Sequence, residues 1–180
     1  VQQNSSGGER YPDVKKAITN AIEKGTLVFD YFGHGGEGGF AAERILEIPQ
    51  IQQFNNAKTL PLLITVTCDF SRFDNPERIT AGELTFWSKT GGAASMITTT
   101  SEVFISVGQR FNESLIKSLL EFEDEDLSIS ESLMIAKNNS SSTQKFFIYS
   151  VGDPAMKLAV PEPSVRITKM NGKDIAQPLD

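Results

Sequence analysis

One histidine, His34, and one cysteine, Cys68, are the residues through which this 180-residue chain could carry out covalent chemistry. A thiolate attacks a carbonyl carbon, and a neighbouring imidazole can keep the thiol deprotonated and return a proton to a leaving amine. Taken singly, a lone cysteine suits a small core position and a lone histidine a structural one. Their placement points elsewhere. His34 stands in Gly33-His34-Gly35-Gly36-Glu37-Gly38-Gly39, a loop with no use for a core side chain, and each of the two residues follows an apolar run. The same composition excludes an internal disulfide and a structural zinc site built from cysteine and histidine.

The apolar runs are the elements that must position the pair. TLVFDYF (26–32) and LPLLITVT (60–67) are short and rich in β-branched and aromatic residues, which predicts strands buried on both faces and parallel. A right-handed crossover between them would bring both carboxyl ends, and so His34 and Cys68, to one edge of a sheet, where open α/β sheets place their sites. A helix is expected from Pro12 to Gly25, and a connecting amphipathic helix in two pieces over 41–56, broken at Pro49. Thr80 and Glu83 form a capping box for a helix ending at Gly91-Gly92. A third buried strand is expected at 93–100, followed by a loop at 101–106 on the same edge. Helices follow over 108–120, with Phe111, Leu115, Ile116, Leu119 and Leu120 inward, and over 130–137. NNSSST (138–143) reads as a loop, 146–151 as helix or strand, and 156–160 as a final strand. Phe86 and Trp87 read as core residues, and Asp30 as structural.

Several function classes fall away. A net charge of -6 without clustered Lys and Arg excludes a nucleic-acid partner and a basic membrane-binding face. No apolar run approaches the ~20 residues of a membrane-spanning helix. Gly33 to Gly38 satisfies G-x-G-x-x-G, but Gln52, Gln53 and Phe54 occupy the place of the expected acidic residue, and no Lys-Ser/Thr follows. The glycines instead let backbone amides near His34 approach a bound group. EFEDEDLS (121–128) reads as a solvated acidic turn.

The segments YPDVKKAITNAIEKGTLVFDYFGHGGEGGFAAERIL, LPLLITVTCDFSRFDNPERITAGE and YSVGDPAMKLAVP resemble the gingipain-like family of caspase-clan cysteine peptidases, and most closely its type IX secretion sortase branch. The resemblance implies a caspase-like α/β fold, a mostly parallel sheet flanked by helices. It also implies His34 as general base and acid, Cys68 as nucleophile, and the backbone amides of Gly35 and Cys68 as oxyanion hole. The activity implied is removal of the C-terminal sorting domain of secreted cargo through a Cys68 thioester, resolved by water or by an amine on anionic lipopolysaccharide. Cargo proteins and other secretion-system components would be the partners and the cell surface the location, with membrane contact only through partners. The residues themselves call for no cofactor and show no legible metal-ligand loop. Glu37 and Asp69 are the candidate site carboxylates; the residue orienting the histidine is expected upstream of this chain, which begins without Met. Ser101, Glu102 and Val103 stand where the family builds its primary pocket.

Residues 1–160 are thus expected to be the catalytic subdomain of a peptidase, in which the polar residues 1–11 read as a linker or the remnant of an earlier segment. Residues 161–180, with the Asn171-Gly172 turn signal, would open an immunoglobulin-like β-sandwich module. The competing reading is a peptidase-like binding module that recognises the sorting domain without cutting it.

Overall fold

Leu62, Leu63, Ile64, Thr65 and Val66 are buried at every position, and the computed structural model is built outward from them. It describes residues 3–5, 8–120, 127–160, 169–170 and 173–174. In chain order the elements are β1 (Gln3–Ser5), β2 (Gly8–Arg10), α1 (Pro12–Lys24), β3 (Val28–Phe32), β4 (Gly35–Gly36), β5 (Gly39–Phe40), β6 (Leu46–Glu47) and α2 (Ile48–Ile51). There follow β7 (Leu62–Val66), α3 (Ala81–Trp87), β8 (Ser95–Thr99), α4 (Ile105–Leu120), α5 (Ile129–Asn139), a 3-10 helix at Thr143–Phe147, β9 (Ile148–Val151), β10 (Lys169–Met170) and β11 (Lys173–Asp174).

The main sheet has the order β3-β7-β8-β9. β3 and β8 flank β7 in parallel, and β9 closes the far side antiparallel to β8. Alternation along β7 assigns the two faces. Leu62, Ile64 and Val66 pack with Ile97 against Phe111, Leu115 and Leu119 of α4 and Ile129, Leu133 and Ala136 of α5. Leu63 and Met96 turn the other way, toward Ile22 of α1, Phe40, Leu46, Ile51, Phe54 and Ala81 of α3. Each fully buried Leu, Ile or Phe in these layers contributes on the order of 1.5–3 kcal/mol. Between β7 and β8 the buried hydroxyls of Thr65 and Thr98 hydrogen-bond each other at 3.0 Å.

The fold is α/β with a mainly parallel sheet flanked by helices, as the sequence predicts, with local differences. β3 lies at one edge of the described sheet, so it is half-buried where a fully buried strand is expected. The connecting helix over 41–56 is reduced to the single turn α2. Ala41 and Arg44 take left-handed φ of 60° and 54°, which stops a helix, and Pro49 sits in the first turn of α2 and starts it rather than breaking it. Phe40 and Leu46 face inward from a small antiparallel sheet, β4-β5-β6.

The capping box forms: Glu83 N–H donates to Thr80 Oγ1 at 3.3 Å and Thr80 N–H to the Glu83 carboxylate at 2.8 Å. The helix it opens ends at Trp87, before the glycines. Gly91 and Gly92 serve packing instead. A Cβ on Gly91 would meet the Phe54 carbonyl at 2.7 Å, and Gly92, at φ 109°, exchanges hydrogen bonds with the buried Asn56 side chain. Trp87 is 66% exposed and Leu120 45%, against their expected core positions, whereas Phe86 packs on the second core layer.

α5 continues two residues past Lys137 to Asn139, into the segment expected as loop. The ambiguous stretch at 146–151 divides into the end of the 3-10 helix and β9. Residues 156–160 form no strand: Met156 and Leu158 pack on the α4/α5 layer and the Met156 carbonyl accepts from Ile129 N–H. In place of a linker, β1 and β2 pair antiparallel. The acidic run at 121–126 lies outside the described residues. So does the β-sandwich module expected at 161–180, except that Lys169–Met170 pairs antiparallel with Lys173–Asp174.

Candidate active site

Phe32 and Val66 are partners in the parallel register of β3 and β7. His34 and Cys68 each lie two residues beyond that pair, where both strands have ended. The crossover therefore delivers them to the same edge of the sheet, and both line one cleft of about 900 Å³. Its other lining residues are Phe32, Gly33, Val66, Glu102, Val103, Phe104, Ile105, Ser106 and Gln109. His34 is exposed and Cys68 half-buried, so a substrate can reach both.

The backbone at His34 is held from two sides. Its carbonyl accepts the Tyr31 hydroxyl at 2.7 Å and Ala41 N–H at 2.8 Å. The Tyr31 ring stacks on buried Phe40 at 4.1 Å, which in turn meets Phe70 at 4.6 Å. A chain of three aromatic rings thus joins the histidine loop to the segment after Cys68.

The glycines set the amides. Because Ala41 N–H bonds the His34 carbonyl, positions 34 and 41 form a hydrogen-bonded pair of the β4–β5 ladder. Gly35 and Phe40 are then a non-hydrogen-bonded pair, and the Gly35 N–H points away from its partner strand. Gly35 also lies directly on Thr67: a Cβ there would collide with Thr67 Oγ1 and stand 3.1 Å from its Cγ2. Only glycine lets the loop rest on the residue that precedes Cys68. Thr67 is 2% exposed, and its hydroxyl has no hydrogen-bond partner among the described residues. The G-x-G-x-x-G glycines form a β-hairpin and open no helix, which removes the geometry a phosphate site needs.

The carboxylates expected near the site divide. Glu37, at the tip of the hairpin, does not line the cleft. It accepts from Asn75 Nδ2 at 3.3 Å, pairs with Arg78 at 3.5 Å and Arg72 at 3.9 Å, and its carbonyl accepts Ala81 N–H at 2.7 Å. It binds the hairpin to the 72–81 segment rather than orienting His34. Asp69 holds a left-handed φ of 51° and lines a neighbouring hollow of about 460 Å³ with Arg72, Phe73, Asp74, Thr100, Ser101, Glu102 and Phe147. Burial pushes its carboxyl above the ordinary range; Arg72 opposes the shift, while Glu102, Glu37 and Asp74 add to it. Among the described residues the His34 ring has no carboxylate partner. Asp30 is structural, as expected: it accepts Asn112 Nδ2 from α4 at 2.8 Å, and burial raises its carboxyl against that bond.

Of the expected pocket residues, Val103 lines the cleft, Ser101 the neighbouring hollow, and Glu102 both. Sequence reasoning missed Tyr31, Thr67 and Gln144. Tyr31 carried a signal, being three residues before the histidine; Gln144 carried none, since it reaches the 102–104 loop from 40 residues away.

Three comparisons bear on this geometry. A family model described as Peptidase family C25 matches residues 1–159. The crystal structure of the Arg-specific cysteine proteinase gingipain R (RGPB) superposes with a TM-score of 0.69 at 16% identity, over 80% of this chain and 36% of that one. A complex of Porphyromonas gingivalis RgpB pro- and mature domains gives 0.68 at 16% identity, over 80% and 37%. The chain thus spans little more than a third of either structure, and the caspase-like fold is what it shares with them. No curated protein matches the chain by sequence.

Proposed function

Since the chain belongs to peptidase family C25, we propose that it carries the nucleophile and the acid-base residue of a cysteine peptidase. The observation that supports this is the register: two residues past the Phe32–Val66 pair, His34 follows one strand and Cys68 its neighbour, on the wall of one cleft. In this reading His34 takes the Cys68 proton, and Sγ attacks the scissile carbonyl carbon. The resulting oxyanion meets the N–H groups of Gly35 and Cys68. Collapse breaks the C–N bond, His34 protonates the leaving amine, and the acyl group stays on Sγ as a thioester. Water, or an amine, then attacks that thioester with His34 accepting its proton.

The finer proposal is a sortase of the PorU kind. The sequence segments quoted for the resemblance support it. Its substrates would be type IX secretion cargo bearing C-terminal sorting domains, its acceptor an amine on anionic lipopolysaccharide, and its place the cell surface among other secretion components. Glu37 is committed to Arg72 and Arg78 and is not assigned to orient His34. Arginine specificity is a property of the matched proteinase and is not carried over.

Cleavage of a sorting-domain cargo by the complete protein tests this. Cys68→Ala and His34→Ala are each expected to lower the rate about 10³-fold or more. A Cys68→Ala protein that processes cargo at the wild-type rate would overturn the proposal.

A further inference from the structure

Resting on that reading, we propose that the apolar lining of the cleft is a subsite for a large apolar side chain, carried by the substrate residue whose carbonyl Cys68 attacks. Beside His34 and Cys68 the cleft is lined by five apolar side chains, Phe32, Val66, Val103, Phe104 and Ile105; the rest of its lining is Gly33, Glu102, Ser106 and Gln109. Val66 is 1% exposed and belongs to the floor, while Phe32, Phe104 and Ile105 leave 37%, 68% and 63% of their surface open. Contiguous open apolar surface of this kind marks a binding groove. Gly108 in the first turn of α4 lets the floor close up: a Cβ there would stand 2.8 Å from the Phe32 ring and 3.2 Å from Val66 Cγ1.

Charge complementarity selects the occupant. Among the described residues the only ionisable lining group besides the His34–Cys68 pair is Glu102, which is exposed and shared with the hollow that holds Arg72. A cationic side chain would shed water onto Val66, Val103 and Phe32 with only the solvent-exposed Glu102 carboxylate to receive it, and an anionic one would meet Glu102 itself. An aliphatic or aromatic side chain gains from the same surface.

The wall of this subsite has no regular structure of its own, and one side chain braces it. Gln144 Nε2 donates to the Glu102 carbonyl at 3.3 Å, and Gln144 Oε1 accepts Phe104 N–H at 3.0 Å. Gln144 is therefore a positioning residue for specificity: it stands in for a neighbouring strand along residues 102–104.

The test treats the complete protein with peptidyl acyloxymethyl ketones that differ only in the residue beside the ketone, Leu, Phe, Lys or Asp. The Cys68 adduct is followed by mass, and each rate is divided by that of iodoacetamide on the same sample. Leu and Phe reagents are expected to react about tenfold or more faster than Lys and Asp reagents. Phe104→Asp and Gln144→Ala should each lower the normalised Leu rate and leave less discrimination between Leu and Lys. A preference for Lys, equal rates for all four, or unchanged Leu rates in both variants would overturn the subsite while leaving the peptidase reading standing. Failure of every ketone, in a protein whose Cys68 iodoacetamide still alkylates, would overturn both.

Discussion

Gly35→Ala puts the site geometry to its sharpest test, because the added methyl has one place to go and that place is taken. The new Cβ would fall on Thr67 Oγ1 and within 3.1 and 3.2 Å of Thr67 Cγ2 and Cβ. Rotating Thr67 leaves its Cβ in place at 3.2 Å, and at 2% exposure the side chain has no room to withdraw. The hairpin must therefore lift by about 1 Å to restore ordinary contact distances. Overpacking of this kind costs about 1–3 kcal/mol, which in a chain this size lowers Tm by about 2–4 °C for each kcal/mol. The functional loss should be larger, because a displacement of about 1 Å at a reacting centre costs about 10²-fold. Thermal unfolding and cargo cleavage by the complete protein report the two effects. Thr67→Ala removes Oγ1 and Cγ2 without breaking any hydrogen bond of that hydroxyl to the described residues. Added to Gly35→Ala, it should restore most of the stability and part of the rate, with a coupling energy of about 1–3 kcal/mol. A Gly35→Ala protein within twofold of wild type, or one that Thr67→Ala fails to rescue, would refute the reasoning.

Tyr31→Phe keeps the stack on Phe40 and removes the hydrogen bond to the His34 carbonyl; it should cost about 1 kcal/mol in denaturant unfolding and lower cleavage more than it changes KM. Glu37→Gln breaks ion pairs at the surface of the hairpin, so the expected loss is below about 1 kcal/mol, smaller in high salt, with cleavage nearly unchanged. A collapse of cleavage in that variant would return Glu37 to the role of orienting carboxylate. Asp69→Asn should raise Tm at pH 7, since burial disfavours the charged carboxylate in the fold and Asn tolerates the left-handed backbone. The folded carboxyl titrates higher than the unfolded one, so the gain fades as pH falls through that range and vanishes below the unfolded value of about 3.9; a gain that grows toward pH 3 would contradict this. Thr80→Ala removes the cap of α3 and should cost about 1 kcal/mol in urea unfolding.

The parallel pair and the residues at its ends were legible in the sequence because strand burial is a local composition signal and connection handedness is nearly invariant. LLITV could hardly be anything but a central strand, and the Thr80–Glu83 box marks its helix start by spacing alone. The connecting segment was misread because AAERIL has helical periodicity. Tertiary packing instead places Phe40 and Leu46 side by side on the second core layer, and positive φ at Ala41 and Arg44 follows from that demand. Trp87 was assigned inward by its residue type, and it stands exposed because α3 stops there.

By itself, the sequence determined which two residues could do the chemistry and that they share one edge of a sheet. Everything that surrounds them depended on contacts between distant segments: Glu37 drawn away by Arg72 and Arg78, Gly35 seated on Thr67, and the 102–104 wall hung from Gln144. Periodicity records which face of an element is buried. It carries no information about which polar side chain, tens of residues away, will find the partner it needs once that burial has brought them together.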